Sequence, residues 1–322
     1  MKPNFLYGAS PQKISGPSLG SGERPHSSFP RVSKPTTSYG AFGPSLWSEF
    51  WQEFCLENQP HERCHIPGDG RAVVDRQWAQ FAAMLPRNAL VIDLGCGAGI
   101  AGRIVLSRRN DLHVTGVDFA AVPTPAIENM TIHPWVSMED LPFDDASFDA
   151  AISLFGIEYG TIDRTAGELG RVLKPGACFS FVVHHVESEI VREGITRRRA
   201  LRSLLSGEVK ARFLAGNVSG VDQQIKRLRA QFPGEPSIKL FTDYLRHHVA
   251  RTRAGREERW QNLLNGLNPE LALLALLERS AKSAVEMGCW LVPLLEKMAA
   301  VGASVLKRPS GEPIAWQVSG IR

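Results

Sequence analysis

Residues 91–100 read VIDLGCGAGI, and this stretch predicts much of the rest of the fold. An apolar run typical of a buried strand leads into a turn with glycine at alternate positions, Gly95, Gly97 and Gly99, and a helix is expected to follow. Glycine lets the backbone approach a ligand closely, and N–H groups at a helix start face that ligand. Asp118, nineteen residues after Gly99, ends the next apolar run and is placed to accept hydrogen bonds from ribose hydroxyls. The pattern therefore predicts a ligand that carries a nucleoside.

Strand and helix patterns alternate on both sides of this turn. A helix is expected at about 71–84, and a second one near 281–300 precedes two short strands, 303–307 and 314–318, which a turn separates. Further strands are expected at 112–117, 132–136, 150–154 and 178–183, the last of them after the helix stop Lys174-Pro175-Gly176. Strands that alternate with helices indicate an α/β fold with a doubly wound parallel sheet.

Four motifs occur in order along this region: DLGCGAG at 93–99, VD at 117–118, LPF with a later FD at 141–149, and RVLKPG at 171–176. Together they resemble the class I S-adenosylmethionine-dependent methyltransferases, and within them the small-molecule and quinone branch. The likeness covers about 70–190. It implies a Rossmann-like seven-strand sheet whose last strand is antiparallel, with S-adenosyl-L-methionine as cofactor and S-adenosyl-L-homocysteine as product.

Cofactor contacts are predicted around the glycine turn and after the next two strands. Asp93 is placed to bind the ammonium of the cofactor, Asp118 both ribose hydroxyls, and Phe119 can cover the adenine. The resemblance adds Met138 against the adenine ring. The sequence departs from the family at Ser137, where the family usually has an Asp that contacts the adenine amino group, and Glu139 or Asp140 is the candidate substitute for that contact. The predicted cofactor-binding residues are Asp93, Gly95, Cys96, Gly97, Gly99, Asp118, Phe119, Ser137, Met138 and Glu139.

Methyl transfer from a sulfonium is an in-line displacement, for which alignment can account for roughly 7–11 kcal/mol. A general base is needed only if the acceptor has to lose a proton. His184 and His185 after the fifth strand, and Glu158 and Tyr159 after the fourth, should face the mouth of the cleft. Histidine has a pKa suited to removing this proton, which favours His184 and His185. With Tyr159, which should face the same cleft, they are the predicted catalytic residues. A polar strand end without catalytic function is the alternative for the two histidines.

The domain organisation is predicted from composition. Residues 1–44 are rich in Pro, Gly and Ser with Glu23 as the single acid, which predicts a disordered arm. The cofactor-binding domain is expected at 45–190, a helical lid insertion at 191–280, and the last helix and hairpin at 281–322. Residues 192–259 hold sixteen Lys or Arg against seven Asp or Glu, so the basic charge of the chain belongs to the lid. The arginines at 197–199 and 202 form either a solvated face or a site for an anionic acceptor.

Residues 45–57 place Trp47, Phe50, Trp51 and Phe54 on one face of a helix. This face either packs on the core or roofs the ligand cleft. Just beyond it, two cysteines and two histidines come close together in sequence, but their spacing fits no regular zinc pattern, so no metal site is predicted. These four residues are Cys55, His61, Cys64 and His65.

The broader predictions follow from what the sequence lacks. It has no apolar run of membrane-spanning length and no secretory signal, and its five cysteines are odd in number, which favours a reducing compartment and a cytoplasmic location. A small-molecule acceptor is expected as partner and nucleic acid is not, since no RNA-binding module is visible. Two alternatives stay open: an RNA methyltransferase, and a cofactor-binding protein without catalysis.

Overall fold

The computed structural model describes residues 46–51, 66, 68–122, 126–249 and 254–322. The arm predicted at 1–44 and the cysteine and histidine group at 55–65 lie outside these ranges. The chain divides into two compact units, of which one contains Ala200–Glu270 and the other contains the segments that end at Arg199 and begin again at Leu271. No helix in the described ranges has the length and apolar character needed to cross a membrane.

A seven-stranded sheet with the order β3-β2-β1-β4-β5-β7-β6 forms the centre of the larger unit. β5 and β7 are antiparallel, as are β7 and β6, whereas the first five strands are parallel to one another. The predicted Rossmann-like sheet with an antiparallel last strand is therefore confirmed. Its strands are β1 (Leu90–Leu94), β2 (His113–Asp118), β3 (Met130–Pro134), β4 (Phe148–Leu154), β5 (Leu173–Val183), β6 (Ala300–Lys307) and β7 (Pro313–Ile321).

Helices cover both faces of this sheet, as the apolar strands require, because a parallel sheet has to be buried on its two sides. One face packs on α1 (Gly70–Met84) and α2 (Ile100–Arg108), through residues such as Trp78 and Val105. The other face packs on α3 (Ile162–Val172) and α9 (Ala284–Lys297), through residues such as Leu169 and Leu294. Burial of each large apolar side chain stabilises the unit by about 1.5–3 kcal/mol. The result is a rigid base from which the loops at the carboxyl ends of the strands project.

Several strand boundaries differ from the expected ones, and for two strands, β3 and β5, the reason is local. β3 ends at Pro134 rather than 136, because Trp135 has a φ of 63°, which an extended strand does not permit. β5 begins at Leu173, so the Pro175-Gly176 pair lies inside the strand rather than before it. Gly176 has a φ of 81°, and the β4–β5 register shifts between Phe148 and Ala150. A bulge at this edge therefore accommodates the proline and glycine that suggested a stop.

The helical unit has its own apolar core. Phe213, Phe241 and Trp260 are almost fully buried in it. Asn217 caps one helix, since its side chain accepts a hydrogen bond of 2.8 Å from the Gly220 amide. The helices that lie entirely in this unit are α5 (Gly207–Ala215), α6 (Val218–Gln231) and α7 (Pro236–Val249), whereas α4 (Glu189–Leu204) and α8 (Arg256–Ser280) have residues in both units. The role of a lid for this segment stays a prediction.

Candidate cofactor and acceptor site

The glycine turn between β1 and α2 needs glycine at all three positions. Gly95, Gly97 and Gly99 have φ values of 61°, 50° and 77°, a region in which side chains are strained. A Cβ at Gly95 would lie 3.0 Å from the Gly156 Cα, which joins this turn to the end of β4. Gly99 then opens α2, and its amide donates to the Cys96 carbonyl over 2.8 Å. The turn therefore carries no side chain of its own at these three positions, as close approach of a ligand to its backbone requires.

The helical segment 46–51 lies against this turn. A Cβ added to Gly97 would be 2.1 Å from Cζ2 of Trp51, so the indole occupies the space that a side chain would fill. Trp51 forms a small apolar cluster with Ala98 and Ala120, and the Trp47 ring meets Tyr159 edge-on at 4.9 Å. The aromatic face thus packs on the glycine turn and its apolar neighbours, and its role as a roof over the ligand cleft stays a prediction. Phe54 lies outside the described residues.

Asp93, at the end of β1, has an exposed fraction of 0%. Its Oδ2 accepts a hydrogen bond of 3.1 Å from the Gly102 amide, and its Oδ1 is buried without a hydrogen-bond partner among the described residues. Burial raises the pKa of this carboxyl to about 8, although the hydrogen bond from Gly102 acts in the opposite direction. An orphaned acid oxygen behind a glycine turn is suited to receive a ligand cation, which is the ammonium contact predicted for Asp93.

Asp118 ends β2 with both carboxylate oxygens engaged. Oδ2 accepts a hydrogen bond from the Gly97 amide at 2.7 Å, and Oδ1 accepts one from the Ala120 amide at 2.8 Å. Burial raises the pKa of Asp118 to about 6, while the two backbone hydrogen bonds lower it. The carboxylate is therefore ionised at neutral pH and held in a fixed orientation. Each oxygen keeps a second lone pair with which to accept a ribose hydroxyl.

The segment after β3 carries Ser137, Met138 and Glu139. The Met138 thioether lies between two glycines, because a Cβ on Gly95 would be 3.3 Å from its Cε and a Cβ on Gly160 would be 2.9 Å from its Sδ. The Ser137 hydroxyl accepts a hydrogen bond from the Glu139 amide at 3.1 Å. Met138 therefore borders the glycine turn, where the resemblance places the adenine contact.

The Glu139 carboxylate points to the start of α3. Its Oε1 accepts a hydrogen bond of 2.7 Å from the Thr161 amide, and its Oε2 lies 3.8 Å from Nη1 of Arg164. Glu139 thus fastens the segment that contains Met138 to the loop before α3. Its predicted role as a substitute for the usual adenine contact stays a prediction.

Cys96 and Phe119 occupy different environments. Cys96 is buried, and burial raises the pKa of its thiol well above the usual range, so the thiol is inert. Its sulfur fills the space over Gly116, where a Cβ would lie 2.7 Å away. Phe119 is half-buried directly after Asp118, a place that fits its predicted position beside the adenine.

The remaining motif residues hold the loops of the site in place. Arg171 donates to the carbonyls of Leu141 and Phe143 over 2.9 and 2.6 Å, and it pairs with Glu168 at 2.7 Å. Glu168 in turn accepts a hydrogen bond of 2.7 Å from the Leu141 amide. The third and fourth motifs are therefore one structural unit, which fixes the loop after Met138.

A second group of polar side chains lies where β4 and β5 end. Glu158, on the short 3-10 turn Ile157–Tyr159, is 5% exposed, and its Oε1 accepts a hydrogen bond of 3.0 Å from the His184 amide. Its Oε2 and the Nδ1 atom of His184 are buried without hydrogen-bond partners among the described residues. Burial raises the pKa of Glu158 to about 7, and the nearby ammonium of Lys282 opposes this rise. Two orphaned polar atoms in one place indicate a site for a polar ligand.

His184 lacks the pKa near neutrality that its residue type suggests. Burial, followed by the charge of Lys282, lowers its pKa to about 3, so the imidazole is neutral and weakly basic. Its ring is fixed by stacking on Phe155 at a centroid distance of 4.1 Å. Phe155 has a φ of 53°, an unusual conformation for a bulky residue and one that is common at functional sites.

His185 faces a different environment from His184. Its ring packs on Trp316 at 4.9 Å, its Nδ1 accepts a hydrogen bond from the Glu187 amide at 3.0 Å, and burial lowers its pKa. Tyr159 meets His184 edge-on at 6.2 Å. The structure thus brings Tyr159, His184 and Glu158 together and directs His185 to β7. The predicted catalytic roles of His184, His185 and Tyr159 stay predictions.

Lys282 is the member of this group that sequence reasoning missed. It precedes α9, and its backbone amide donates to the His184 carbonyl over 2.9 Å. Burial lowers the pKa of its ammonium, whereas the charge of Glu158 raises it. Lys282 lies about one hundred residues beyond the end of β5, and no sequence motif marks it. Only the three-dimensional fold shows that it lies beside His184.

The arginines at the start of the helical segment divide between two environments. Arg198 forms an ion pair with Glu278, whereas Arg199 and Arg202 are exposed. The described residues contain no group of three or more side chains suited to hold a metal ion.

The comparisons with known proteins point to one domain. A family model described as a methyltransferase domain matches residues 92–181. The ubiquinone/menaquinone biosynthesis C-methyltransferase UbiE of Geotalea daltonii is 34% identical over 121 residues, which cover 32% of this chain and 50% of that protein. The 2-phytyl-1,4-naphtoquinone methyltransferase of a Nostoc species is 37% identical over 105 residues, which cover 29% and 46%.

A solved S-adenosylmethionine-dependent methyltransferase of Thermotoga maritima aligns with 85% of this chain and 99% of its own, at 13% identity and a TM-score of 0.42. The alignments span about half the length of the curated relatives.

Proposed function

We propose that this chain, whose residues 92–181 form a class I S-adenosylmethionine-dependent methyltransferase domain, is an enzyme that transfers a methyl group to a small-molecule acceptor. The resemblance carried by the four sequence motifs is confirmed for that domain, and S-adenosylmethionine is its cofactor. The observation that supports activity in this chain is Asp93, whose orphaned buried oxygen lies behind the three strained glycines. Two relatives are named for methylation in quinone biosynthesis and of a naphthoquinone, which supports a small-molecule acceptor.

The residues of the turn fit the cofactor by their chemistry. Asp93 would take the ammonium, and it would lose its own proton as it does so, since a carboxyl with a pKa of about 8 is largely protonated at neutral pH. Asp118 would accept the ribose hydroxyls in its fixed orientation, and Met138 and Phe119 would border the adenine. When bound, S-adenosylmethionine supplies an electrophilic methyl group on its sulfonium.

We place the acceptor at the ends of β4 and β5. Gly156 at the end of β4 packs on Gly95 of the glycine turn, so the group of Glu158, Tyr159 and His184 begins next to the cofactor turn. The chain would therefore align a nucleophile with the methyl group from this side, where the half-buried rings of Phe155 and Tyr159 lie. We keep the prediction from the sequence that the insertion 191–280 is a lid that shapes the acceptor pocket.

The proposal is tested with purified full-length chain. We expect S-adenosylhomocysteine to bind in calorimetry and to raise the melting temperature, and labelled methyl groups to pass from S-adenosylmethionine into compounds of a metabolite extract. Asp93→Asn is the comparison variant, because it should weaken the binding of S-adenosylhomocysteine and slow the labelling while the fold persists. Absence of binding by the wild type would overturn the proposal. Binding with labelling of RNA alone, at low salt, would replace the small molecule by a nucleic acid.

A further inference from the structure

We propose that Glu158 is the general base of the transfer and that the acceptor presents a weakly acidic hydroxyl, as in a phenol or an enol, to its Oε2 atom. This inference rests on the proposed function, because it assumes that methyl transfer occurs. In the sequence, residue type favours His184 and His185 as candidate bases. We assign the proton transfer to the carboxylate of Glu158 instead.

The position of Glu158 supports this assignment. The turn that carries it lies between Gly156, which packs on Gly95 of the cofactor turn, and Gly160, which packs on the Met138 thioether. Both ends of the turn therefore touch predicted cofactor residues. An acceptor group held by Glu158 would lie beside the cofactor without further movement of the sheet.

The hydrogen bonds of Glu158 leave one oxygen for the acceptor. Oε1 is held by the His184 amide at 3.0 Å, which fixes the orientation of the carboxylate, and Oε2 is buried without a partner in the described part of the chain. A buried oxygen of this kind is costly unless a ligand or an ordered water satisfies it. A hydroxyl that donates to Oε2 supplies the missing hydrogen bond.

The titratable groups around Glu158 make it a better base than His184. Burial weakens the acidity of the carboxyl, and Lys282 limits this effect, so its pKa of about 7 suits proton removal at neutral pH. The same burial makes the imidazole of His184 a poor base, with a pKa of about 3. His184 therefore acts as a positioning residue, through its backbone amide and its fixed ring.

The step balances without a further reactant. The hydroxyl oxygen forms a bond to the methyl carbon as the bond from that carbon to sulfur breaks. The electron pair of the broken bond stays on sulfur, which becomes a neutral thioether. The hydroxyl proton moves to Oε2 of Glu158, which releases it to water after the product has left, so that the carboxylate is restored for the next turnover.

The variant Glu158→Gln tests the role of the carboxylate, because it keeps the oxygen that accepts from the His184 amide and removes the base. With the metabolite extract as acceptor source, we expect the initial rate of labelling to fall about 10²–10⁴-fold. The dissociation constant of S-adenosylhomocysteine should stay the same. The rise of the wild-type rate with pH near neutrality should disappear. Ser180→Ala is the matched control, because it also removes a buried side-chain oxygen without a partner in the described residues, and it should leave the rate unchanged.

The outcomes separate the two proposals. A wild type that labels no compound overturns the proposed function, and this inference with it. A wild type that transfers methyl groups while Glu158→Gln retains its rate and pH profile overturns the inference alone, as does a labelled product with the methyl group on nitrogen, sulfur or carbon. If Glu158→Gln does not fold, Glu158→Asp serves instead, and a rate equal to that of the wild type would then refute the role. Infrared spectra provide a readout without acceptor, since the Glu158→Gln variant should lose the component of the carbonyl band that titrates near pH 7 in the wild type and keep the components of Asp93 and Asp118.

Discussion

At the scale of single residues, burial decides what the acids and histidines of this chain can do. Burial raises the pKa values of Asp93 and Glu158 and lowers that of His184, so each group favours its neutral form. The cause is that the ends of β1, β4 and β5 are enclosed by apolar residues. Residue type and spacing predicted that these positions matter. They could not predict the pKa of each group, because burial and nearby charges depend on residues that are distant in sequence, such as Lys282.

The variant Asp93→Asn should bind the cofactor product more weakly and yet be more stable than the wild type when no ligand is bound. The variant should bind S-adenosylhomocysteine more weakly by on the order of 1–3 kcal/mol, since it loses the charged partner of the ammonium. At about pH 8 the free variant should unfold at higher denaturant concentration than the wild type, because an ionised buried carboxylate is no longer present. Calorimetry in buffers of different ionisation enthalpy should also detect release of about one proton per cofactor bound by the wild type and less by the variant. An unchanged dissociation constant would remove Asp93 from the site.

At the scale of elements, the glycine turn and the segment 46–51 form one assembly. Sequence reasoning anticipated the strand, the turn and the helix, since each has a local signal. It left open whether the aromatic face of the segment packs on the core or on the cleft, because periodicity shows that a face is buried without showing what covers it. The structure shows that Trp51 covers Gly97, whereas a roof over a bound ligand stays a prediction.

Alanine substitutions at two glycines, one in the turn and one in a helix, test whether the cofactor approaches the turn. Gly97→Ala should weaken cofactor binding at least tenfold and destabilise the fold by about 1–3 kcal/mol, because its φ of 50° is strained and its new methyl group meets the Trp51 ring. Gly167→Ala in α3 is the control. Its Cβ meets no atom of the described residues within 4 Å, and alanine is favoured in a helix by roughly 0.5–1 kcal/mol. Equal effects of the two changes on binding would contradict the proposed approach of the cofactor to Gly97.

At the scale of the whole molecule, the raised pKa values make stability depend on pH. A carboxyl whose pKa is higher in the folded than in the unfolded state binds more protons when folded, so its contribution to stability falls as the pH rises. His184, with its lowered pKa, acts in the opposite sense, but only below its usual value of 6.5. From about pH 6.5 to about pH 8, Asp93 and Glu158 therefore dominate.

We accordingly expect the free energy of unfolding to fall between about pH 6.5 and 8, by up to about 1.4 kcal/mol per pH unit for each of these two groups. Chemical denaturation at several pH values measures this slope. Asp93→Asn and Glu158→Gln should each reduce it, and saturating S-adenosylhomocysteine should reduce it further, since the ligand stabilises ionised Asp93. A slope of zero or of opposite sign would show that these acids are ionised in the free protein.

The topology of the sheet has a consequence for biosynthesis. β7 is the last strand in sequence, yet it lies between β5 and β6 and pairs with both. While the ribosome is still making residues 313–321, β5 has one unpaired edge and β6 has no neighbour with which to pair. The nascent chain can therefore assemble its first five strands early, but it completes the sheet only when residues 313–321 have left the exit tunnel. Until then β5 and β6 lack the strand that separates them, and unpaired strand edges of this kind are substrates for chaperones and for aggregation.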